Sequence, residues 1–273
     1  MSFFMALLVN FPAHTQYYYQ HMVSAALGAE RFNLLKEANV KEVSAISFSA
    51  ENERDTSFQL LQEVDLPKNQ LRLFTRSAYN SPGYMTSQYD EKGRITGVYD
   101  SSGSIVNIST YRYDPTGLLT ELYSSSSDTV QSFSITEKFL IRFNDHRNPV
   151  EMVRIKNNTD TTVIKLIPSE NGKPGEEQWW KNGRKTATYY YYYNAEGYLT
   201  DVASFNPIAK RVLPMITFEY NDYGEMTKKT VVPISSNNYR VWKMEYDESS
   251  LLTSEKAYDK HGQLEGSIYY TYR

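Results

Sequence analysis

From Lys41 onward, apolar and polar residues alternate, as in VSAISFSA, and that period of two marks strands. The alternation sorts side chains onto two faces. Phe139, Ile141 and Phe143 share one, as do Ile216, Phe218 and Tyr220, then Trp242, Met244 and Tyr246, then Ile268, Tyr270 and Tyr272, while Lys138, Arg142, Glu219 and Glu245 fall opposite. One face is therefore aromatic and the other polar. Only His21 to Val40 departs from this pattern: Leu27, Phe32, Leu34 and Leu35 recur at three- and four-residue intervals, which predicts one or two short helices.

The alternating stretches are punctuated by a degenerate unit: an aromatic, Asp or Asn, two variable residues, Gly, one variable residue, an apolar residue and often Thr. Its copies are YNSPGYMT (79–86), YDEKGRIT (89–96), YDSSGSIV (99–106), YDPTGLLT (113–120), YNAEGYLT (193–200), YNDYGEMT (220–227), YDESSLLT (246–253) and YDKHGQLE (258–265), with a weakened FNDHRNPV at 143–150. Asp or Asn opens a turn because its side chain accepts a backbone N–H two residues on, and Gly closes it by accepting positive φ. The aromatic ends one strand and the apolar residue begins the next, so each unit predicts a hairpin. Lys156-Asn157-Asn158-Thr159-Asp160 and Asn182-Gly183 carry ordinary hairpin signals between copies.

These units, above all YDEKGRIT and YDPTGLLT, resemble the YD repeats of the Rhs family over about Tyr79 to Arg273. In large Rhs proteins such repeats wind a long sheet into a hollow shell, so the resemblance implies a curved sheet. Two departures limit what carries over. The copies are irregularly spaced in a chain that reads as too short for a large shell, and no toxin domain or self-cleavage motif follows the last copy. The resemblance points to the short exported bacterial proteins of this type, without toxin encapsulation.

The expected fold is all-β: an antiparallel meander of tandem hairpins forming a curved, twisted sheet or partial shell, with a short N-terminal helical segment. No Gly/Ser/Pro-rich linker divides it, so residues 41–273 read as one β domain after a helical segment at 17–40. Residues 1–16 read as a signal peptide: MSFFMALLV is a short apolar run, followed by Ala13-His14-Thr15-Gln16 with small residues at a cleavage position, although no basic n-region precedes it. The run falls short of the roughly 20 apolar residues a membrane-spanning helix needs. Tyr17-Tyr18-Tyr19 then reads as the start of the mature segment. Export places the protein in the periplasm, on the outer surface or outside the cell.

Composition narrows the chemistry. The 24 Tyr, 12 Phe and 3 Trp suit a pleated, half-buried surface. A net charge of −3 gives no basic footprint for nucleic acid or anionic membranes. With no Cys there is no disulfide framework, thiolate zinc site or cysteine nucleophile. The turn carboxylates Asp90, Asp100, Asp114, Asp247 and Asp259 would form a metal ladder if stacked, but turn geometry already accounts for them and Asn replaces Asp in several copies. His14, His21, His146 and His261 lack ligand spacing, and the serines of Tyr123-Ser124-Ser125-Ser126-Ser127-Asp128 lack a nucleophile elbow. No phosphate-cradling loop or dinucleotide fingerprint appears. No metal or cofactor is called for.

The aromatics remain. Tyr189 to Tyr193 is an unbroken Tyr run, and alternation sends Tyr189, Tyr191 and Tyr193 to one face. Together with Trp179 and Trp180 they form the candidate ligand-binding set, since exposed rings on a rigid sheet stack on sugars or anchor a protein partner. Core packing shared between neighbouring hairpins is the competing account. The sequence thus points to a non-catalytic, exported β-repeat binding protein with a carbohydrate or cell-surface protein as partner. The alternatives are a structural component of a bacterial envelope complex and, behind it, a glycoside-active hydrolase whose carboxylates converge only in three dimensions. An outer-membrane barrel ranks last, because the strands carry many charges.

Overall fold

The computed structural model describes residues 17–78, 80–233 and 238–273. The expected signal peptide lies outside the described residues. The helical stretch forms as a π-helical turn, Tyr18–Val23, running into α1, Ser24–Glu37. It ends where Asn39 turns left-handed at φ 54 and Val40 N–H bonds back to the Leu35 carbonyl.

Eighteen strands follow: β1 Glu42–Ser49, β2 Gln59–Asp65, β3 Gln70–Ser77, β4 Asn80–Tyr89, β5 Ile95–Ser102, β6 Ile105–Tyr113, β7 Leu119–Asp128, β8 Phe133–Phe143, β9 Pro149–Lys156, β10 Asp160–Pro168, β11 Pro174–Lys181, β12 Arg184–Tyr193, β13 Leu199–Asn206, β14 Arg211–Tyr220, β15 Met226–Val231, β16 Arg240–Tyr246, β17 Leu252–Tyr258 and β18 Leu264–Tyr272. Each pairs antiparallel with the next, and β18 pairs with β1 from Val43↔Tyr272 to Ser49↔Gly266. The expected open curved sheet or partial shell is therefore corrected to a closed up-and-down barrel. Repeat units specify pairing between neighbours only. Closure depends on a match between the two ends of the chain, and β1 carries no repeat motif.

Eighteen strands about 4.8 Å apart, tilted by about 40°, give a circular barrel a radius of about 18 Å, room for a helix some 10 Å across. Curvature comes from the repeat itself. At Tyr89, Tyr113, Phe143, Tyr193, Tyr220, Tyr246 and Tyr258, the aromatic of the unit, the register slips by a β-bulge before the turn. A bulge adds one residue to one strand and bends it. The turns that follow share one geometry: Asp114 N–H bonds the Leu118 carbonyl, Gly117 N–H bonds the Asp114 carbonyl, and the Asp114 carboxylate accepts the Leu118 N–H at 2.9 Å. That backbone bond, the largest cause, holds the Asp114 carboxyl below its ordinary range. Seven such turns join an even-numbered strand to the next odd one and so crowd one rim, and an unforeseen copy, Ser169 to Gly172, is among them.

Two sequence units are not turns. Asn80-Ser81-Pro82-Gly83 and Tyr99-Asp100-Ser101-Ser102 lie within β4 and β5, and Asp100 faces Asn107 across a strand pair. The chain reverses instead between the paired Ser77 and Asn80 and at Gly103-Ser104, on the opposite rim, where Asn157 to Thr159 and Asn182-Gly183 also turn as expected.

The lumen is filled by the chain itself. Tyr17, Tyr18 and Tyr19 pack with Phe139, Ile164, Tyr191, Val202 and Phe218 of one half of the wall, and Ala25, Phe32 and Leu35 pack with Val43, Val64, Leu71 and Tyr89 of the other. A segment that touches both halves lies inside. The outside carries cross-strand ion pairs such as Lys138–Glu121 (2.8 Å), Arg142–Glu151 and Lys228–Glu219 (2.7 Å). Such charges are costly on strands that face the middle of a bilayer. No helix among the described residues is long and apolar enough to cross a membrane.

Candidate functional site

Alternation along β11 and β12 divides the aromatic set. Trp179, Tyr189, Tyr191 and Tyr193 join the lumenal cluster, whereas Trp180 points outward, its indole N–H on Gln178 Oε1 (3.3 Å) and the Lys165 ammonium 5.0 Å over its ring. Tyr192 also faces out, half exposed. The structure therefore brings four of the five candidates together, on a wall that residues of the same chain already cover. The Tyr17 ring stacks on Trp179 (4.4 Å between centroids, 13° between planes) and tilts against Phe139 (5.1 Å). Tyr18 meets Tyr191 edge-on at 5.1 Å, and Tyr19 meets Phe218 at 5.6 Å.

The centre of this site is Glu177, which sequence reasoning did not single out. It is fully buried, and four donors converge on its carboxylate: Tyr17 N–H and Tyr18 N–H, each at 2.9 Å, Trp179 Nε1–H at 2.5 Å and Tyr191 O–H at 2.5 Å. Carboxylate oxygens offer about four acceptor positions, so the group is saturated. Two of these donors are backbone N–H groups that lead into the π-helical turn, so the carboxylate fixes that turn against the wall. Burial nevertheless pushes its pKa up, against the lowering effect of those hydrogen bonds. Burial, with Glu177 adjoining, drives the Tyr191 hydroxyl far above its usual range. The available signal for Glu177 was its parity: it shares a strand face with Trp179, where a charge is out of place.

His21 packs on the same Tyr17, stacked on its ring (5.8 Å) and tilted on Phe139 (4.3 Å). Its Nε2 has no hydrogen-bond partner among the described residues, and burial, with Arg154 adding to the effect, lowers its pKa to about 3. Arg154 stands 5.5 Å over the Tyr17 ring and pairs with Glu137. Elsewhere in the lumen Arg31 reaches Gln62 (3.0 Å) and Tyr270 donates to Glu255 (3.2 Å). Among the described residues no group of three or more His, Cys, Asp or Glu side chains converges on a point. With its acceptor positions taken and water excluded, Glu177 is arranged to hold a peptide segment.

The pattern of the RHS repeat matches residues 89–129, a stretch that runs from the Tyr89 bulge through β7 and holds the Asp90 and Asp114 turns. Residues 89–129 thus carry an RHS repeat. Among solved structures, the RHS-repeat barrel is similar to a porin-like protein from Bacteroides uniformis, at 12% identity and a TM-score of 0.42 over 86% of this chain and 96% of that one. It is also similar to the Tc holotoxin pore of Photorhabdus luminescens (10% identity, TM-score 0.34, 84% of this chain) and to TcdB2–TccC3 (9% identity, TM-score 0.31, 81% of this chain). It spans only 13% and 16% of those two chains. No curated protein matches its sequence significantly.

Proposed function

We propose that this RHS-repeat barrel is an exported, non-catalytic scaffold that binds through its outer wall, with a carbohydrate or a cell-surface protein as partner. The observation that carries this reading is the occupied lumen: Trp179, Tyr189, Tyr191 and Tyr193 belong to the cluster that residues 17–19 of their own chain fill, with Tyr17 stacked on Trp179 and Tyr18 edge-on to Tyr191. Binding is thereby moved to the outside.

The outside is not uniform. Across β4 to β7, Tyr84 stands opposite Ser101, Thr86 opposite Tyr99, Tyr99 opposite Ile108 and Ile108 opposite Ser125, with no charge among them, whereas ion pairs mark other parts of the wall. Tyr84 and Tyr99 keep 57% and 46% of their surface exposed. Tyrosine and serine together are a common recognition surface, rigid rings beside adaptable hydroxyls. The test is a glycan array and a capture screen against cell-surface proteins, run with the parent and with Tyr84→Ser/Tyr99→Ser/Tyr123→Ser. Binding lost in the folded triple variant supports the reading. Binding that persists in it, or is lost instead on changing Trp179, overturns it, and a parent that binds nothing leaves the structural envelope role.

A further inference from the structure

We propose that Glu177 is the receptor for the amino terminus of the processed chain, its carboxylate pairing with the α-ammonium created when a leader is removed next to Tyr17. The proposal rests on the export reading above. Two observations lead to it. Glu177 is a fully buried carboxylate whose four partners are all uncharged donors, and Arg154, the cation that approaches Tyr17, is engaged by Glu137. A buried charge without a counter-charge is costly. The second observation is position. The backbone nitrogen 2.9 Å from Glu177 Oε1 is that of Tyr17, which directly precedes the π-helical turn and directly follows the expected leader.

Hydrolysis of one peptide bond there adds water across it, leaving a carboxyl on the departing leader and an amine on the retained chain. The amine takes up a proton at neutral pH, since α-amino groups titrate near 7.7–8.0. At Tyr17 the ammonium would be the atom already on Glu177, and one residue upstream it would be within about 3.8 Å of backbone reach. The other titratable or charged groups facing this point are Tyr18, His21, Glu137, Arg154, Tyr189 and Tyr191. Tyr17 is only 5% exposed within a closed barrel, so a protease reaches this bond only before the barrel closes. Processing would therefore precede folding, and the new terminus would fasten the lumenal segment in place.

The test has two arms. Mass spectrometry of the amino-terminal peptide, on protein recovered from the native envelope or medium, should find Gln16 or Tyr17 first; a leader still attached overturns the export reading. Separately, the chain beginning at Tyr17, released from a fusion by a protease, is compared with the same chain acetylated at its amino group, by thermal unfolding between pH 6 and 10. A folded-state amine pKa raised above its unfolded value contributes stability that is complete below the unfolded value and lost as pH rises through the folded one. The free-amine chain should thus have the higher midpoint at pH 7, with the advantage fading at alkaline pH and absent in Glu177→Gln. Equal midpoints of the free and acetylated chains at pH 7 overturn the ion pair, whether or not Glu177→Gln folds.

Discussion

The hydroxyl of Tyr220 donates to the backbone carbonyl of Leu199 at 2.8 Å, joining the aromatic of one repeat to the first strand residue after the preceding turn. The same bond runs from Tyr193 to Pro174 (2.7 Å), from Tyr246 to Met226 (2.9 Å) and from Tyr272 to Leu252 (2.7 Å). Tyrosine in the repeat is thus more than a lumenal ring: its hydroxyl ties each hairpin to its neighbour along the motif rim.

Removing one such hydroxyl should cost about 1 kcal/mol, the net worth of an ordinary intramolecular hydrogen bond. Tyr220→Phe and Tyr246→Phe should each lower stability by about that amount, and the double variant by more than either. Urea denaturation of the three proteins measures this. A null effect at both positions would reduce the tyrosine preference to ring packing.

The turns predict substitutions of opposite sign. Ser250 occupies the glycine position of its unit at φ 60, where a side chain costs roughly 1 kcal/mol of strain. Ser250→Gly should relieve it and, after about 0.5 kcal/mol lost to a freer unfolded chain, raise stability slightly. Gly224, at φ 80, leaves no such freedom, because an added Cβ would lie 2.2 Å from the Tyr198 hydroxyl. Gly224→Ala should lower the thermal midpoint by several degrees, and calorimetry of both variants checks the pair.

These local features were the legible part of the fold. Asp or Asn with Gly three residues later encodes a turn through contacts within that turn, so the copies at 90, 114, 194, 221 and 259 were readable from sequence. The motif alone is insufficient: Asp100 and Gly103 satisfy it, yet Asp100 pairs with Asn107 inside the β5–β6 ladder and the chain reverses only at Gly103-Ser104, after the paired Ser102 and Ile105. Ser169 to Gly172 was missed because Ser replaces the usual Asp or Asn and Pro168 the aromatic. At the site, parity sorted Tyr189, Tyr191 and Tyr193 onto one face correctly, but nothing local revealed that Tyr17 and Tyr18 would cover that face. Contacts between the two ends of a chain leave no periodic trace.

Closure itself is open to test. The pairing of β1 with β18 is extended by Arg273, whose backbone bonds those of Lys41 and Glu42. Removing residues 264–273 would bare β17 and β1 as two long edges, and unpaired edges recruit other chains. The truncated protein should leave a sizing column as oligomer or aggregate and unfold over a broader range than the parent. A monomer with unchanged, sharp unfolding would mean that the β1–β18 seam contributes little.

His21 gives the barrel a pH dependence of predictable sign. Its folded-state pKa, held at about 3 by burial, lies below the ordinary 6.5, so between these values the unfolded chain binds a proton that the folded one refuses. Stability is therefore complete above about pH 6.5 and declines as pH falls toward 3. The cost of protonating it in place follows from its surroundings: Tyr17 and Phe139 cover its ring, Nε2 meets no acceptor among the described residues, and Arg154 repels a second positive charge. His21→Phe keeps an aromatic ring against Tyr17 and Phe139 while removing the titration. Its thermal midpoint should fall less than that of the parent between pH 7 and pH 5, as circular dichroism at intermediate pH values would show. Parallel curves for the two proteins would mean that His21 takes up its proton without leaving the lumen.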